Sequence, residues 1–151
     1  GVLGYGLVMF ESATPNRFPR RALAAATTHD LPTLAGLWSG ADAAALQTMA
    51  RAPDPEATES VCRRFLRIPG VRPRSSPSTL VDAVHTALAR SPALLAVATL
   101  DDLLLVEERP NHPGTTDEWP NWRLALPRTV EEITSDPAVA RRLRRLRRRP
   151  G

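Results

Sequence analysis

Two short acidic clusters stand where chemistry could be done. His29 and Asp30 follow the apolar run 23–28 and precede Pro32, and Asp101 and Asp102 follow the apolar run 94–100. A carboxylate beside an imidazole at the end of a buried strand can grip polar groups of a ligand while the imidazole donates to a neighbouring one. It can also do nothing more than cap the helix that Pro32 opens. Other chemistries lack their parts. His29, His85 and His112 have no metal-ligand spacing with one another or with Cys62, so no metal site is expected. There is no Gly-rich phosphate loop, nucleophile elbow or dinucleotide fingerprint.

The elements that must position these clusters follow from apolar patterning. Residues 7–10 form a short continuous apolar run between Gly6 and a Pro-containing stretch, which predicts a buried strand and a loop. Residues 23–28 are ambiguous alone, but the polar turn and the spacing of Leu34, Leu37 and Trp38 after Pro32 predict strand, turn, helix. A helix over 41–49 extends or follows that one, and another fits 56–66 between prolines. Ser78 or Thr79 is expected to cap a helix with Leu80, Val81, Val84 and Leu88 on one face, ended by Ser91-Pro92. Residues 94–100 predict a third strand, and Asp101-Asp102 a cap for a short helical turn over 103–106. Strands alternating with amphipathic helices predict βαβ units on a parallel sheet. In a parallel barrel, active residues sit at the carboxyl ends of the strands, where both acidic clusters fall.

Charge and composition narrow the function classes. The formal charge of +4 points toward nucleic acid until its distribution is read. All twenty basic residues are Arg and seven lie in 141–149, leaving 13 Arg against 16 acidic residues in 1–140, a net −3. The body is therefore mildly acidic, and no nucleic-acid partner is expected. The arginine run reads as a solvated helical face with Leu143 and Leu146 as its apolar side, dispensable for activity. No apolar run approaches the length of a membrane span, so no membrane partner is expected. The single Cys62 suits a reducing compartment. A first residue of Gly, with no basic leader before an apolar segment, reads as a cut through a longer chain without a secretory signal.

Three segments carry a resemblance: Gly-Tyr-Gly-Leu-Val-Met-Phe at 4–10, Thr-Thr-His-Asp-Leu-Pro-Thr at 27–33, and Arg-Pro-Asn-His-Pro-Gly-Thr-Thr-Asp-Glu-Trp-Pro-Asn-Trp-Arg at 109–123. In that order they resemble the 4-α-glucanotransferases (amylomaltases) of glycoside hydrolase family 77, the last two being the specific ones. The resemblance runs from Gly1 to about Arg128. It implies that residues 1–128 are the carboxyl-terminal part of an α/β catalytic barrel, about the last three strand–helix units of a (β/α)8 TIM barrel, with 129–151 a terminal helix and arginine-rich tail.

By the same resemblance, the parent enzyme transfers α-1,4-glucan segments between maltooligosaccharides in the cytoplasm, retains anomeric configuration and needs no cofactor. Asp30 matches the carboxylate that stabilises the oxocarbenium-like transition state, and His29, Phe10 and Asn111 match substrate-binding positions. The nucleophile and acid/base would lie upstream of Gly1, so the chain alone would be inactive and would need the remainder of the barrel. Asp117 and Glu118 are left structural, and Trp119 and Trp122 either stack sugars or pin their loop. The physical reason for a third carboxylate is that hydrogen bonds to ring hydroxyls strengthen as positive charge develops at the anomeric carbon. Two rival readings stand beside this one: a related α-glucan hydrolase, and a non-catalytic carbohydrate- or nucleic-acid-binding module.

Overall fold

The structure, a computed structural model, describes residues 3–147. Three parallel strands, β1 (Gly4–Leu7), β2 (Ala22–Ala25) and β3 (Leu95–Val97), form one sheet in the order β1-β2-β3. Their register sorts side chains onto two unlike faces. Gly6, Ala24 and Ala96 align in one row, where a Cβ on Gly6 would stand 2.8 Å from Phe18 Cδ2, so only small residues let the covering elements approach. The adjacent row, Tyr5, Leu23 and Leu95, faces the other way, and Tyr5 and Leu95 are about half exposed. One face is covered and the other is open at Tyr5, Leu95 and Val97, though Leu7 and Ala25 on it are buried.

The strands depart from the apolar runs: β1 lies over 4–7 rather than the expected 7–10, overlapping it only at Leu7, and β2 and β3 are shorter than the runs 23–28 and 94–100. Val8 and Met9 are buried, but as a turn in which Phe10 and Glu11 both donate N–H to Leu7 O. Ala26 and Thr27 are likewise buried beyond the end of β2, and Leu100 already belongs to the next helix. Apolar continuity reports burial; the ladder ends where backbone donors turn to other partners.

Among the described residues, every α-helix but Ala41–Thr48 starts with a side-chain cap, a local hydrogen bond worth about 1 kcal/mol. Thr33 caps α1 (Leu34–Ser39) by accepting from Gly36 N, and Gly40, at φ 87°, ends it and opens α2 (Ala41–Thr48). Asp54 caps α3 (Pro55–Phe65), and Ser76, rather than Ser78 or Thr79, caps α4 (Pro77–Ala89), which has a Pro at its start. Thr99 caps α5 (Leu100–Leu104), displacing Asp101 and Asp102 from that expected role. Thr129 and Glu132 form a reciprocal box at α6 (Val130–Ser135), and Asp136 caps α7 (Pro137–Leu146). Leu34, Leu37, Phe65, Leu80, Val81, Val84 and Leu88 pack with the sheet alanines as the core, matching the expected face of α4.

The arginine run is not simply a solvated face. Arg142 is buried, donating to Leu103 O at 2.9 Å and Ser78 Oγ at 3.1 Å, with Asp82 Oδ1 3.8 Å away. The inward side of α7 is Val139, Arg142 and Leu146, while Leu143 is half exposed. The shift of face follows from Arg142 finding carbonyl and hydroxyl acceptors at the ends of two other helices, which Leu143 could not use. Arg148 and Arg149, the rest of that run, lie outside the described residues, as does Gly1.

Candidate functional site

After β2 the chain makes a closed turn. Thr27 Oγ1 donates to Pro32 O at 2.7 Å, Leu31 N to Thr28 O at 3.2 Å, and Asp30 N to Thr28 Oγ1 at 3.3 Å. Helix α1 starts without help from Asp30: Thr33 accepts from Gly36 N, and the free N–H of Leu34 goes to Asp102 Oδ1 at 2.8 Å. The cap alternative for Asp30 is thereby overturned. Its side chain points elsewhere, Oδ1 accepting from Asn111 Nδ2 at 2.6 Å and Oδ2 lying 3.3 Å from His29 Nε2. Half of the Asp30 side chain remains exposed, which leaves room for a ligand.

Asn111 reaches Asp30 because the loop 109–123 is tied down at several points. Arg109 forks onto Asp42 at 2.7 and 2.6 Å, both side chains being 11% exposed, and sends Nη1 to Asp30 O at 3.4 Å. Trp119 donates Nε1 to Arg109 O at 3.0 Å and meets the His112 ring edge-on at 4.6 Å. Asn121 Oδ1 accepts from His112 N, and Trp122 N donates to Pro110 O. Arg51 adds bonds to the carbonyls of Pro113 and Gly114. The two tryptophans are placed differently. Trp119 pins the loop, whereas Trp122, at φ 60° and 64% exposed, lays its ring against His29 with centroids 5.0 Å apart.

His29, Asp30 and Asn111 are thus brought together. Phe10 is not in that cluster: it ends the turn after β1, largely exposed, on the same carboxyl edge of the sheet. Among the described residues it makes no ring contact with His29, Trp119 or Trp122. On the open face a cavity of about 360 Å3 is lined by Tyr5, Thr27, Thr28, His29, Thr99 and Asp102. Burial pushes the Asp102 carboxyl up to about 6, offset only in part by the Leu34 N–H that its Oδ1 accepts. Sequence reading passed over Asp42 and the α1 contact of Asp102. Asp42 carries no local signal, since an acid in the first turn of a helix is ordinary.

The model of the 4-alpha-glucanotransferase family, glycoside hydrolase family 77, matches residues 1–130. The chain belongs to this family. Its 4-alpha-glucanotransferase relatives from Mycobacterium bovis and from Mycobacterium tuberculosis are 30% identical over 169 residues, an alignment covering 93% of this chain. The chain spans 23% of the length of those relatives. Among solved structures, amylomaltase from Corynebacterium glutamicum superposes with a TM-score of 0.81 at 24% identity, over 97% of this chain and 26% of that one. Amylomaltase from Streptococcus agalactiae in complex with acarbose gives 0.59 at 17% identity, over 95% of this chain and 26% of that one. These likenesses agree with the mixed α/β fold and its parallel sheet. Among the described residues of this glucanotransferase-family chain, no helix is long and apolar enough to cross a membrane.

Proposed function

We propose that the chain is the carboxyl-terminal portion of a (β/α)8 barrel in a 4-α-glucanotransferase that moves α-1,4-glucan segments between maltooligosaccharides with retention of configuration. In this reading Asp30 stabilises the oxocarbenium-like transition state, and the nucleophile and acid/base belong to a part of the barrel outside these 151 residues. His29 and Asn111 bind sugar hydroxyls around it, with Phe10 further along the cleft. The observation that carries the reading is the Asp30 carboxylate, half exposed at the carboxyl edge of a parallel sheet and oriented by Asn111 on one oxygen and His29 on the other. The open row Tyr5 and Leu95 supports the barrel: such apolar surface suits the interior of a closed sheet.

Asp30 would neither attack carbon nor shuttle the proton, tasks that need two carboxyl groups roughly 5–5.5 Å apart across the sugar. Its oxygens would hold ring hydroxyls whose polarity rises at the transition state, so the bonds strengthen when the barrier is crossed. Trp122, beside His29, offers an apolar face that shields this spot from water, which a transferase must keep from the covalent intermediate. The test is Asp30→Asn in the full-length protein acting on maltotriose. Turnover should fall by a factor on the order of 10³ while folding and oligosaccharide binding persist. Near-normal turnover would remove Asp30 from the mechanism, and glucose released without longer oligosaccharides would identify a hydrolase.

A further inference from the structure

The loop that carries His29 and Asp30 hangs on the first turn of α1, and that turn is held from outside its own segment. Asp102 sits 68 residues away in sequence, fully buried, and accepts the Leu34 N–H through Oδ1 at 2.8 Å. Its own N–H is fixed by Thr99 Oγ1 at 3.1 Å. A second strap runs beside it, Thr33 Oγ1 donating to Glu107 O at 3.2 Å. Asp102 Oδ2, by contrast, has no hydrogen-bond partner among the described residues, although the residue lines the cavity that also touches Thr27, Thr28 and His29. Burying a carboxylate with one oxygen unpaired is costly, and an apolar residue would fill the space without that cost. Capping α5 does not explain it, because Thr99 performs that task.

We infer that Asp102 is a positioning residue for the transfer reaction, its Oδ1 fixing the start of α1 and so the place of the Thr27–Pro32 turn from which Asp30 reaches the sugar. This rests on the reading of Asp30 given above. A carboxylate on β3–α5 bonded to the backbone of β2–α1 ties two neighbouring strand–helix units together just behind the reacting position. Such a tie acts on geometry, and displacement of a binding group by about 1 Å can cost on the order of 10²-fold in rate.

The test uses the full-length transferase with Asp102→Ala, Asp102→Asn and Asp30→Asn measured side by side on maltotriose, with melting temperature recorded for each. Asp102→Ala should lower kcat per folded molecule by about 10- to 100-fold with KM changed by less than about two-fold. Asp102→Asn keeps an acceptor oxygen for Leu34 N and should recover most of that loss. Should the alanine variant fail to fold, Asp102→Glu keeps charge and acceptor but moves the oxygen by one methylene, and it should show the same fall in kcat at unchanged KM. A lower melting temperature with wild-type kcat and KM in the folded variants overturns the inference in favour of a purely structural carboxylate. An Asn variant as impaired as Ala overturns it as well. If Asp30→Asn is inactive and the Asp102 variants are normal, only this inference falls; if Asp30→Asn is normal, both fall.

Discussion

Asn111 donates its side-chain amide to Asp30 Oδ1 at 2.6 Å across 81 residues of sequence, from a loop whose own geometry is set by Arg109, Trp119 and Asn121. A hydrogen bond to a charged acceptor is stronger than a neutral one and fixes direction as well as distance. In the full-length protein, Asn111→Ala is expected to lower turnover by about ten-fold with the fold intact. Asn111→Asp should do more harm, because two carboxylates at that distance repel. Measuring kcat for the two variants checks this, and identical losses would contradict it.

Gly36 lies in the first turn of α1 directly beneath the Glu107 carbonyl, so that a Cβ there would drive into the oxygen. The obstacle is backbone, which can yield only by moving the segment that leads into Arg109. Gly36→Ala should therefore destabilise by about 2–3 kcal/mol in spite of the better helix propensity of Ala. It should also lower activity more than its loss of stability explains. Urea midpoints and kcat per folded molecule measure the two effects, and a stabilised variant would sink the argument.

His85 is fully buried in α4 with neither ring nitrogen hydrogen-bonded among the described residues, and its pKa is lowered to about 4, first by burial and then by Arg142. The unfolded chain takes up this proton near 6.5 while the folded one resists until about 4. The stabilisation is present above pH 6.5 and is lost as pH falls toward 4. Asp102, raised to about 6, has the opposite sign: its contribution is present below 3.8 and is lost as pH rises through 6. His85→Leu removes only the first, so the stability of the variant relative to the parent should grow by up to about 3 kcal/mol between pH 6.5 and 4. Unfolding midpoints at pH 7 and pH 4.5 test this, and a constant difference between the two proteins would refute it.

Arg142 joins α7 to Leu103 O, to Ser78 Oγ and to the Asp82 carboxylate. Arg142→Ala strands a buried carbonyl and weakens the pairing of Asp82, at a cost of about 2–4 kcal/mol. Arg144→Ala, on the exposed side of the same helix, should change stability by less than about 0.5 kcal/mol. Removing residues 141–151 should therefore lower the melting temperature, a cost to stability that the expectation of dispensability for activity did not include. Equal stability of the two alanine variants would contradict this role of Arg142.

Much of this arrangement is legible in the chain itself. The apolar runs located β2, β3 and the core face of α4, because burial leaves a trace in the sequence, whereas β1 lies amino-terminal to its run. The Thr-His-Asp and Asn-containing loop segments named the three residues that the fold then gathers. What the sequence could not yield were pairings made at a distance. Asp102 looks like a cap for its own helix until Thr99 takes that place, and Arg142 looks solvated until the ends of α4 and α5 are near it. Asp42 is one acid among sixteen until Arg109 lies across it. Local propensity fixes where a helix begins; which distant donor a buried carboxylate serves is decided by packing alone.

The Arg109–Asp42 fork is nearly closed to solvent, whereas the His29–Asp30 pair stands in it. Mobile ions screen exposed charges over a Debye length of about 8 Å at physiological ionic strength and about 3 Å in molar salt, and they reach a shielded pair far less. Molar salt should thus leave the brace beneath Asn111 in register, its screening reaching only the exposed Asp30 carboxylate. Halotolerance of this site would be set by the part of it that meets no solvent.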